Sequence, residues 1–212
     1  METTFNISGG IYLVLNPAMD RELLMTRLSG ALAGGIDVVQ IWNNWPAGTD
    51  RLKLIEDIAL LCRPYQIPVL INNDWQLMIA SPHLHGVHFD NIPDDFAAIK
   101  QAVGKPFLAG ITCSNHTGNA YWAMAHGLDY ISFCSMFPSS SAASCDIVMP
   151  ATVKQVRAES SIPIFVAGGI TPQNIPALKK ETPFDGVAVI SGILSDDNPE
   201  QKVKLYKTAL NS

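Results

Sequence analysis

The chain has little charge, and its charged residues do not cluster. Only 16% of its 212 residues are Asp, Glu, Lys or Arg, and the formal net charge is -5. Lys and Arg are scattered, so the sequence offers no basic surface for nucleic acid or an anionic membrane. No apolar run approaches the roughly 20 residues of a membrane-spanning helix. The sequence argues against nucleic acid and membranes as partners, while its 48% hydrophobic residues suffice for a folded core.

The cysteines lack the spacing of a zinc site or a disulfide framework. Cys62, Cys113, Cys134 and Cys145 contain no Cys-x-x-Cys pair, so we expect reduced thiols that pack as small hydrophobic side chains. The first residues include Glu2 rather than a basic start, and no apolar run with a small-residue cleavage site follows. We therefore expect a cytoplasmic protein.

Eight short apolar runs recur along the chain, each followed by a turn and a stretch with helical spacing. They are apolar on both faces, which is typical of parallel strands covered on both sides. The runs are Ile11–Leu15, Val38–Ile41, Val69–Ile71, Val87–Phe89, Phe107–Ile111, Tyr130–Phe133, Ile164–Ala167 and Gly186–Ile190. This alternation predicts the α/β class, as a single-domain (β/α)8 TIM barrel over residues 1–212. A doubly wound sheet is the alternative, but the Gly-rich first turn of that fold is missing.

In such barrels the functional residues follow the carboxyl ends of the strands. Gly168 and Gly169 follow the seventh run, and Ser191 and Gly192 follow Ile190 at the end of the eighth. Backbone N–H groups in two such neighbouring loops can face one anion, with no need for lysine. The sequence predicts a phosphate site here. The alternative is that the glycines only permit tight turns and close packing.

The same segments carry a family resemblance. Pro163–Pro172 and Asp185–Ile193 resemble the closing motifs of thiamine phosphate synthase and of its relative thiazole tautomerase. The likeness covers nearly the whole chain, in the segments Tyr12–Val14, Gly35–Gln40, Ile71–Asn72, Gly86–His88, Asp129–Ile131 and Phe137–Ser141. It implies a barrel that joins an aminopyrimidine methyl diphosphate to a thiazole phosphate. In that reaction Mg2+ assists departure of the diphosphate, and the thiazole nitrogen attacks the resulting pyrimidine cation.

The resemblance also implies roles for individual residues. It implies that the thiazole phosphate binds to the loops after the seventh and eighth strands, at Gly168, Gly169, Ile190 and Ser191. It puts Gln40 and Asn72 at the pyrimidine. It puts Thr112 and the hydroxyls of Ser139 and Ser141 beside the diphosphate.

The sequence departs from the family pattern where the diphosphate is bound. The family's Gln-x-Arg-x-Lys run reads Gln40-Ile41-Trp42-Asn43-Asn44, so both cations are absent. Trp42 and Asn44 occupy those positions. We predict that they bind substrate, with Trp42 stacking on a flat heterocycle or, alternatively, closing the barrel mouth.

The family's metal-binding Asn-Asp pair is also altered, to Asn72-Asn73 followed by Asp74. We predict a weakened magnesium site rebuilt from Asn73, Asp74 and Asp90, because carboxylate and amide oxygens suit this ion. The alternatives are a helix N-cap for Asp74 and a solvated loop position for Asp90.

His116 lies near the position where the relatives carry a histidine after strand five. Thiazole tautomerase uses that histidine for proton transfer, so His116 is a candidate acid or base. Gln40 and Thr112 are the other two candidate catalytic residues. This leaves two alternatives to the synthase: a tautomerase-like isomerase using His116, and a non-catalytic barrel that keeps the phosphate site. A small phosphorylated heterocycle is the expected partner in each case, and a homodimer is compatible with the resemblance.

Overall fold

Eight parallel strands close into a barrel in the order in which they occur along the chain. The structure is a computed structural model that describes residues 5–139 and 146–212. The strands are β1 (Gly10–Leu15), β2 (Val38–Ile41), β3 (Val69–Asn72), β4 (Gly86–Phe89), β5 (Leu108–Cys113), β6 (Tyr130–Cys134), β7 (Ile164–Ala167) and β8 (Gly186–Val189). Strands β8 and β1 pair in parallel, with Tyr12 opposite Ala188, which completes the ring. The predicted (β/α)8 barrel is confirmed.

Helices follow the strands and cover the outside of the barrel. They are α1 (Arg21–Gly34), α2 (Arg51–Cys62), α3 (Leu77–Ala80), α4 (Phe96–Val103), α5 (Gly118–His126), α6 (Pro150–Glu159), α7 (Ile175–Glu181), α8 (Ser191–Leu194) and α9 (Pro199–Leu210). Gly35 and Gly127 end α1 and α5 with φ angles of 89° and 67°, a conformation that other residues rarely adopt. Within the residues that the structure describes, no helix is long and apolar enough to cross a membrane.

The N-cap of α2 provides a direct stability test. The carboxylate of Asp50 accepts a hydrogen bond of 3.0 Å from the backbone N–H of Lys53, which satisfies one of the unpaired donors of the first turn. We expect Asp50→Ala to lower the free energy of unfolding by about 1 kcal/mol. Asp50→Asn keeps the acceptor and should change it by only a few tenths of that amount. Urea unfolding of both variants measures the difference, and equal losses would contradict the cap.

Alternation along each strand divides the core into two parts. Ile11, Leu13 and Leu15 of β1 point outward into the layer between strands and helices. Tyr12 and Val14 of the same strand belong to a second cluster inside the barrel. The other members of this inner cluster from the strands are Val38, Leu70, Leu108, Tyr130 and Phe165. The barrel interior is therefore packed below the carboxyl ends of the strands, as is usual for this fold.

Three aromatic rings fill the centre of the barrel. The ring centroids of Tyr12, Tyr130 and Phe165 lie 5.4 to 5.6 Å apart. Glycines on neighbouring strands make room for them. A Cβ atom on Gly110 would lie 2.1 Å from the Tyr130 ring, and one on Gly186 would lie 2.4 Å from the Phe165 ring. The inward-facing glycines thus give space to the aromatic side chains.

Three aspartates brace the opposite, amino-terminal end of the barrel. Each precedes a strand and accepts a hydrogen bond from the backbone N–H of a residue at the start of an adjacent strand. The pairs are Ile11 with Asp37 at 2.8 Å, Ala109 with Asp129 at 2.7 Å, and Ile164 with Asp185 at 2.8 Å. Burial raises the pKa of the Asp129 carboxyl, and the bond from Ala109 partly opposes that shift. These carboxylates serve the architecture and lie away from the candidate site.

Candidate active site

A cavity of about 740 Å3 opens at the carboxyl ends of the strands. Its lining includes polar side chains from β2 through the β6–α6 loop, namely Gln40, Asn72, His88, Asp90, Thr112, Ser139 and Asp146. The loops after β7 and β8 contribute Gly168, Gly169, Ile190, Ser191 and Gly192. The cavity thus lies at the end of the barrel where the fold predicts function. Ser141, which the sequence predicts to contact the diphosphate, lies outside the described residues.

The loops after β7 and β8 line this cavity with residues whose backbone amides have no bond among those described. Gly168 and Gly169 have φ angles of 82° and 63°, and Ser191 begins the short helix α8. Among the described turn and loop hydrogen bonds, the N–H groups of Gly168, Gly169, Ser191 and Gly192 donate to no protein carbonyl. Unbonded amides in two adjacent loops suit an anion. The predicted phosphate site therefore has donors to offer.

Packing alone also explains why glycine is present at position 168. A Cβ atom there would lie 1.8 Å from the Ser135 hydroxyl oxygen and 2.8 Å from the Ser135 Cα. At Gly169 the Cβ would lie 2.7 Å from the Cβ of Phe137. The structure supports the packing alternative, because the glycines permit close approach to the loop after β6. The phosphate site stays a prediction.

The structure brings two of the three predicted metal residues, Asn73 and Asp90, together and directs the third, Asp74, elsewhere. Asp90 lines the cavity, whereas Asn73 does not. Asn73 Nδ2 donates to the Asp90 carboxylate at 2.6 Å, and Asn73 Oδ1 accepts from the Asp90 backbone N–H at 2.9 Å. Asn72 donates to the other carboxylate oxygen at 2.9 Å. Asp74 instead pairs with Arg51 at 3.0 Å and does not line the cavity. Within the described ranges, no group of three or more His, Cys, Asp or Glu side chains is arranged to hold a metal ion.

The cavity contains carboxylates but no cationic side chain among its described lining residues. Asp90 and Asp146 line it, and none of the lining residues is Lys or Arg. Arg21 pairs with Asp57, and Arg51 pairs with Asp74. Residues 140–145 contain no Lys or Arg in the sequence. A bound diphosphate would need another source of positive charge.

The remaining predicted residues fall on both sides of the cavity boundary. Trp42 lines the cavity and packs against the inner aromatic cluster. Asn44 donates from Nδ2 to Asn16 Oδ1 at 3.0 Å and does not line the cavity. His116 is exposed in the β5–α5 loop and is also absent from the lining. The position of His116 gives no support to a proton-transfer role.

A line of hydrogen bonds runs through the interior beneath the cavity. The Tyr12 hydroxyl donates to Gln40 Oε1 at 2.6 Å, and its oxygen lies 2.8 Å from the Tyr130 hydroxyl. Tyr130 in turn lies 2.9 Å from His88 Nδ1. His88 Nε2 lies 2.9 Å from Thr112 Oγ1. Sequence reasoning gave no role to Tyr12, Tyr130 or His88. The pattern that could have identified them is a polar group at an inward-facing position of an otherwise apolar strand.

Burial keeps the members of this line uncharged. It lowers the pKa of His88 to about 4, against a smaller opposing effect of the Asp90 carboxylate. It also raises the pKa of Tyr12 and of Tyr130 above the usual tyrosine value. All three side chains are less than a tenth exposed, at 2%, 0% and 6% for Tyr12, Tyr130 and His88. Neutral groups in a dry interior must satisfy one another by hydrogen bonding.

The fold and the cavity define the class of protein as a (β/α)8 barrel with a polar ligand site at the carboxyl ends of its strands. Residues 11–193 match a family model described as thiamine monophosphate synthase. The chain belongs to this family.

Relatives and solved structures agree with that family. The chain is 31% identical over 205 residues to a thiamine-phosphate synthase from Methylobacillus flagellatus, covering 95% of each chain. It is 29% identical over 200 residues to one from Nitrosococcus oceani, covering 93% of this chain and 91% of the relative. The fold is similar to that of a thiamine phosphate pyrophosphorylase from Pyrococcus furiosus. That match has a TM-score of 0.78 at 19% identity and covers 95% of each chain.

Proposed function

We propose that the protein is a thiamine phosphate synthase. It would join an aminopyrimidine methyl diphosphate to a thiazole phosphate and release diphosphate. The bond between the pyrimidine methylene carbon and the diphosphate oxygen breaks, and its electron pair leaves with the diphosphate. The thiazole nitrogen then forms a bond to that carbon. Family membership and relatives named thiamine-phosphate synthase support this proposal.

The observation that carries the proposal is the continuity of the cavity. One space of about 740 Å3 connects the loop amides after β7 and β8 to the polar side chains of Gln40 and Asn72. A thiazole phosphate at the amides and a pyrimidine at the other end would therefore share a cavity. Holding two reactants together is a large part of catalysis for such a reaction. The isomerase alternative would need His116 in the cavity, and it lies outside the lining.

Asp90 is the residue that fits a magnesium ion. Mg2+ usually binds through one or two carboxylates, several waters and the phosphates of the substrate. Asp90 presents a carboxylate to the cavity, and Asn72 and Asn73 fix its orientation through both oxygens. When bound, the ion would supply positive charge opposite the departing diphosphate. In our proposal this charge replaces the cations missing after β2. Ser139, expected beside the diphosphate, lines the same cavity.

A coupled assay tests both parts of this proposal. With both substrates and Mg2+, purified protein should form thiamine phosphate, and EDTA should abolish the reaction. Asp90→Asn removes the carboxylate proposed to bind the ion and leaves Asp146 in the lining, and it should raise the Mg2+ concentration for half-maximal rate about tenfold or more. Asp94→Asn is the matched control, because Asp94 is an exposed carboxylate of the same loop outside the cavity lining.

The two parts of the proposal fail in different ways. Absence of product from the wild-type protein with both substrates and Mg2+ would overturn the synthase assignment. Equal Mg2+ dependence of Asp90→Asn and Asp94→Asn would leave the synthase assignment standing and overturn the role of Asp90.

A further inference from the structure

At the base of the cavity, with Tyr12 and His88 in its lining and Tyr130 outside the lining, polar side chains form one unbroken line whose two ends, Gln40 and Thr112, also line the cavity. We propose that the three members between them, Tyr12, Tyr130 and His88, are positioning residues. They fix which hydrogen-bonding groups the two ends present to a bound heterocycle. The identity of that heterocycle, an aminopyrimidine, rests on the proposed function.

The direction of the line follows from counting hydrogens, starting at Gln40. The Tyr12 hydroxyl donates its hydrogen to Gln40 Oε1. A phenol has one hydrogen, so the Tyr12 oxygen can only accept from the Tyr130 hydroxyl, 2.8 Å away. The single hydrogen of Tyr130 is then used as well. Tyr130 must therefore accept from the Nδ1–H of His88, at 2.9 Å.

The same count determines the other end of the line. The two ring nitrogens of His88 contact the hydroxyls of Tyr130 and Thr112, which are uncharged, and the residue is buried, so its imidazole is neutral. A neutral imidazole carries one N–H, and Nδ1 holds it, so His88 Nε2 is an acceptor. The hydroxyl of Thr112 consequently donates to Nε2 at 2.9 Å. Thr112 is left with only oxygen lone pairs for the cavity. Gln40, whose carbonyl oxygen is occupied by Tyr12, presents its amide N–H2 group.

The two ends therefore have opposite polarity, and the line couples them. Reversing any one bond would reverse all of them, so the amide group that Gln40 leaves free and the donor or acceptor character of Thr112 change together while the line is intact. A ligand must offer an acceptor to Gln40 and a donor to Thr112. An aminopyrimidine has both kinds of group, in its ring nitrogens and its exocyclic amine. A fully deprotonated diphosphate oxygen has no hydrogen to give, so Thr112 does not bind it directly.

The test is Tyr130→Phe, which removes the central hydroxyl and keeps the ring. Wild-type protein labelled with 15N should show His88 as the Nδ1–H tautomer, assigned by comparison with His88→Gln. In Tyr130→Phe, we expect His88 to shift to the Nε2–H tautomer, because only Thr112 remains as a partner. The KM for the pyrimidine diphosphate should rise about tenfold, while the KM for thiazole phosphate and kcat change by less than about threefold.

Two further variants distinguish positioning from simple packing. Phe165→Leu is the matched control, since Phe165 contacts the rings of Tyr12 and Tyr130, forms no part of the line and does not line the cavity. It should lower Tm without changing the His88 tautomer or the pyrimidine KM. Tyr12→Phe should raise the pyrimidine KM as Tyr130→Phe does. The double variant should resemble either single variant, because breaking one line twice adds little.

An Nε2–H tautomer in the wild-type protein would overturn the inference. So would a pyrimidine KM in Tyr130→Phe within twofold of the wild-type value, or the same rise in Phe165→Leu. The tautomer measurement needs no substrate. A protein without synthase activity would therefore refute the proposed function, and the His88 spectrum would still decide whether the line has the direction inferred.

Discussion

The change Ser191→Asp is expected to weaken the binding of thiazole phosphate by about 100-fold or more. Ser191 is exposed at the start of α8 and lines the cavity beside the loop amides. A carboxylate there would face the phosphate. Two like charges about 4 Å apart repel by roughly 4 kcal/mol at an effective dielectric constant near 20, and 1.4 kcal/mol corresponds to a factor of ten. Isothermal titration calorimetry of wild type and variant measures the effect.

Ser191→Ala is the control for that experiment. It removes the hydroxyl and keeps the backbone N–H, so binding should weaken by less than about tenfold if the amides dominate. The exposed side chain makes no core contact, so both variants should keep the wild-type Tm without ligand. Unchanged binding by Ser191→Asp would show that the phosphate lies elsewhere. An equally large loss in both variants would show that the hydroxyl, and not the amides, holds the phosphate.

The strands were predictable because burial on both faces produces short, continuously apolar runs bounded by turn residues. Val38–Ile41 and Ile164–Ala167 match the observed strands at both ends. The run predicted as Phe107–Ile111 is instead β5, Leu108–Cys113. The prediction missed the carboxyl end of β5 because Thr112 and Cys113 still pair with β6, opposite Ser132 and Phe133. Hydropathy alone does not report hydrogen bonding to a neighbouring strand.

The position of the site was predictable, but the direction of its loop side chains was not. The rule that function follows the strands correctly led to the cavity end of the barrel. Loop side chains are oriented by local partners that the rule ignores. Asn44 hydrogen-bonds to Asn16 after β1, and Asp74 pairs with Arg51 at the start of α2. Such pairs become visible only once the barrel brings separate loops together.

The line of hydrogen bonds inside the barrel could not be predicted from the sequence. Its members come from β1, β2, β4, β5 and β6, and each bond crosses the barrel or joins adjacent strands. Period-two alternation indicates that Tyr12 and Gln40 face inward. It does not indicate that their polar atoms meet, since that depends on register and closure. Hydrogen bonding between distant strands is a property of the folded barrel.

Gly168→Ala is expected to lower the free energy of unfolding by about 3 kcal/mol. Its φ of 82° is unfavourable for alanine by roughly 1 kcal/mol. The added Cβ would also overlap Ser135, including its backbone Cα at 2.8 Å, and overpacking of this kind typically costs about 1 to 3 kcal/mol. Urea unfolding of the ligand-free protein measures the total.

Gly48→Ala separates the two contributions to that loss. Gly48 has a φ of 79°, close to that of Gly168, but nothing lies within 4 Å of its Cβ position. It should therefore lose only the backbone contribution, about 1 kcal/mol. Equal losses in the two variants would contradict the packing argument. A larger loss at Gly168 would mean that contact with the loop after β6 requires glycine there.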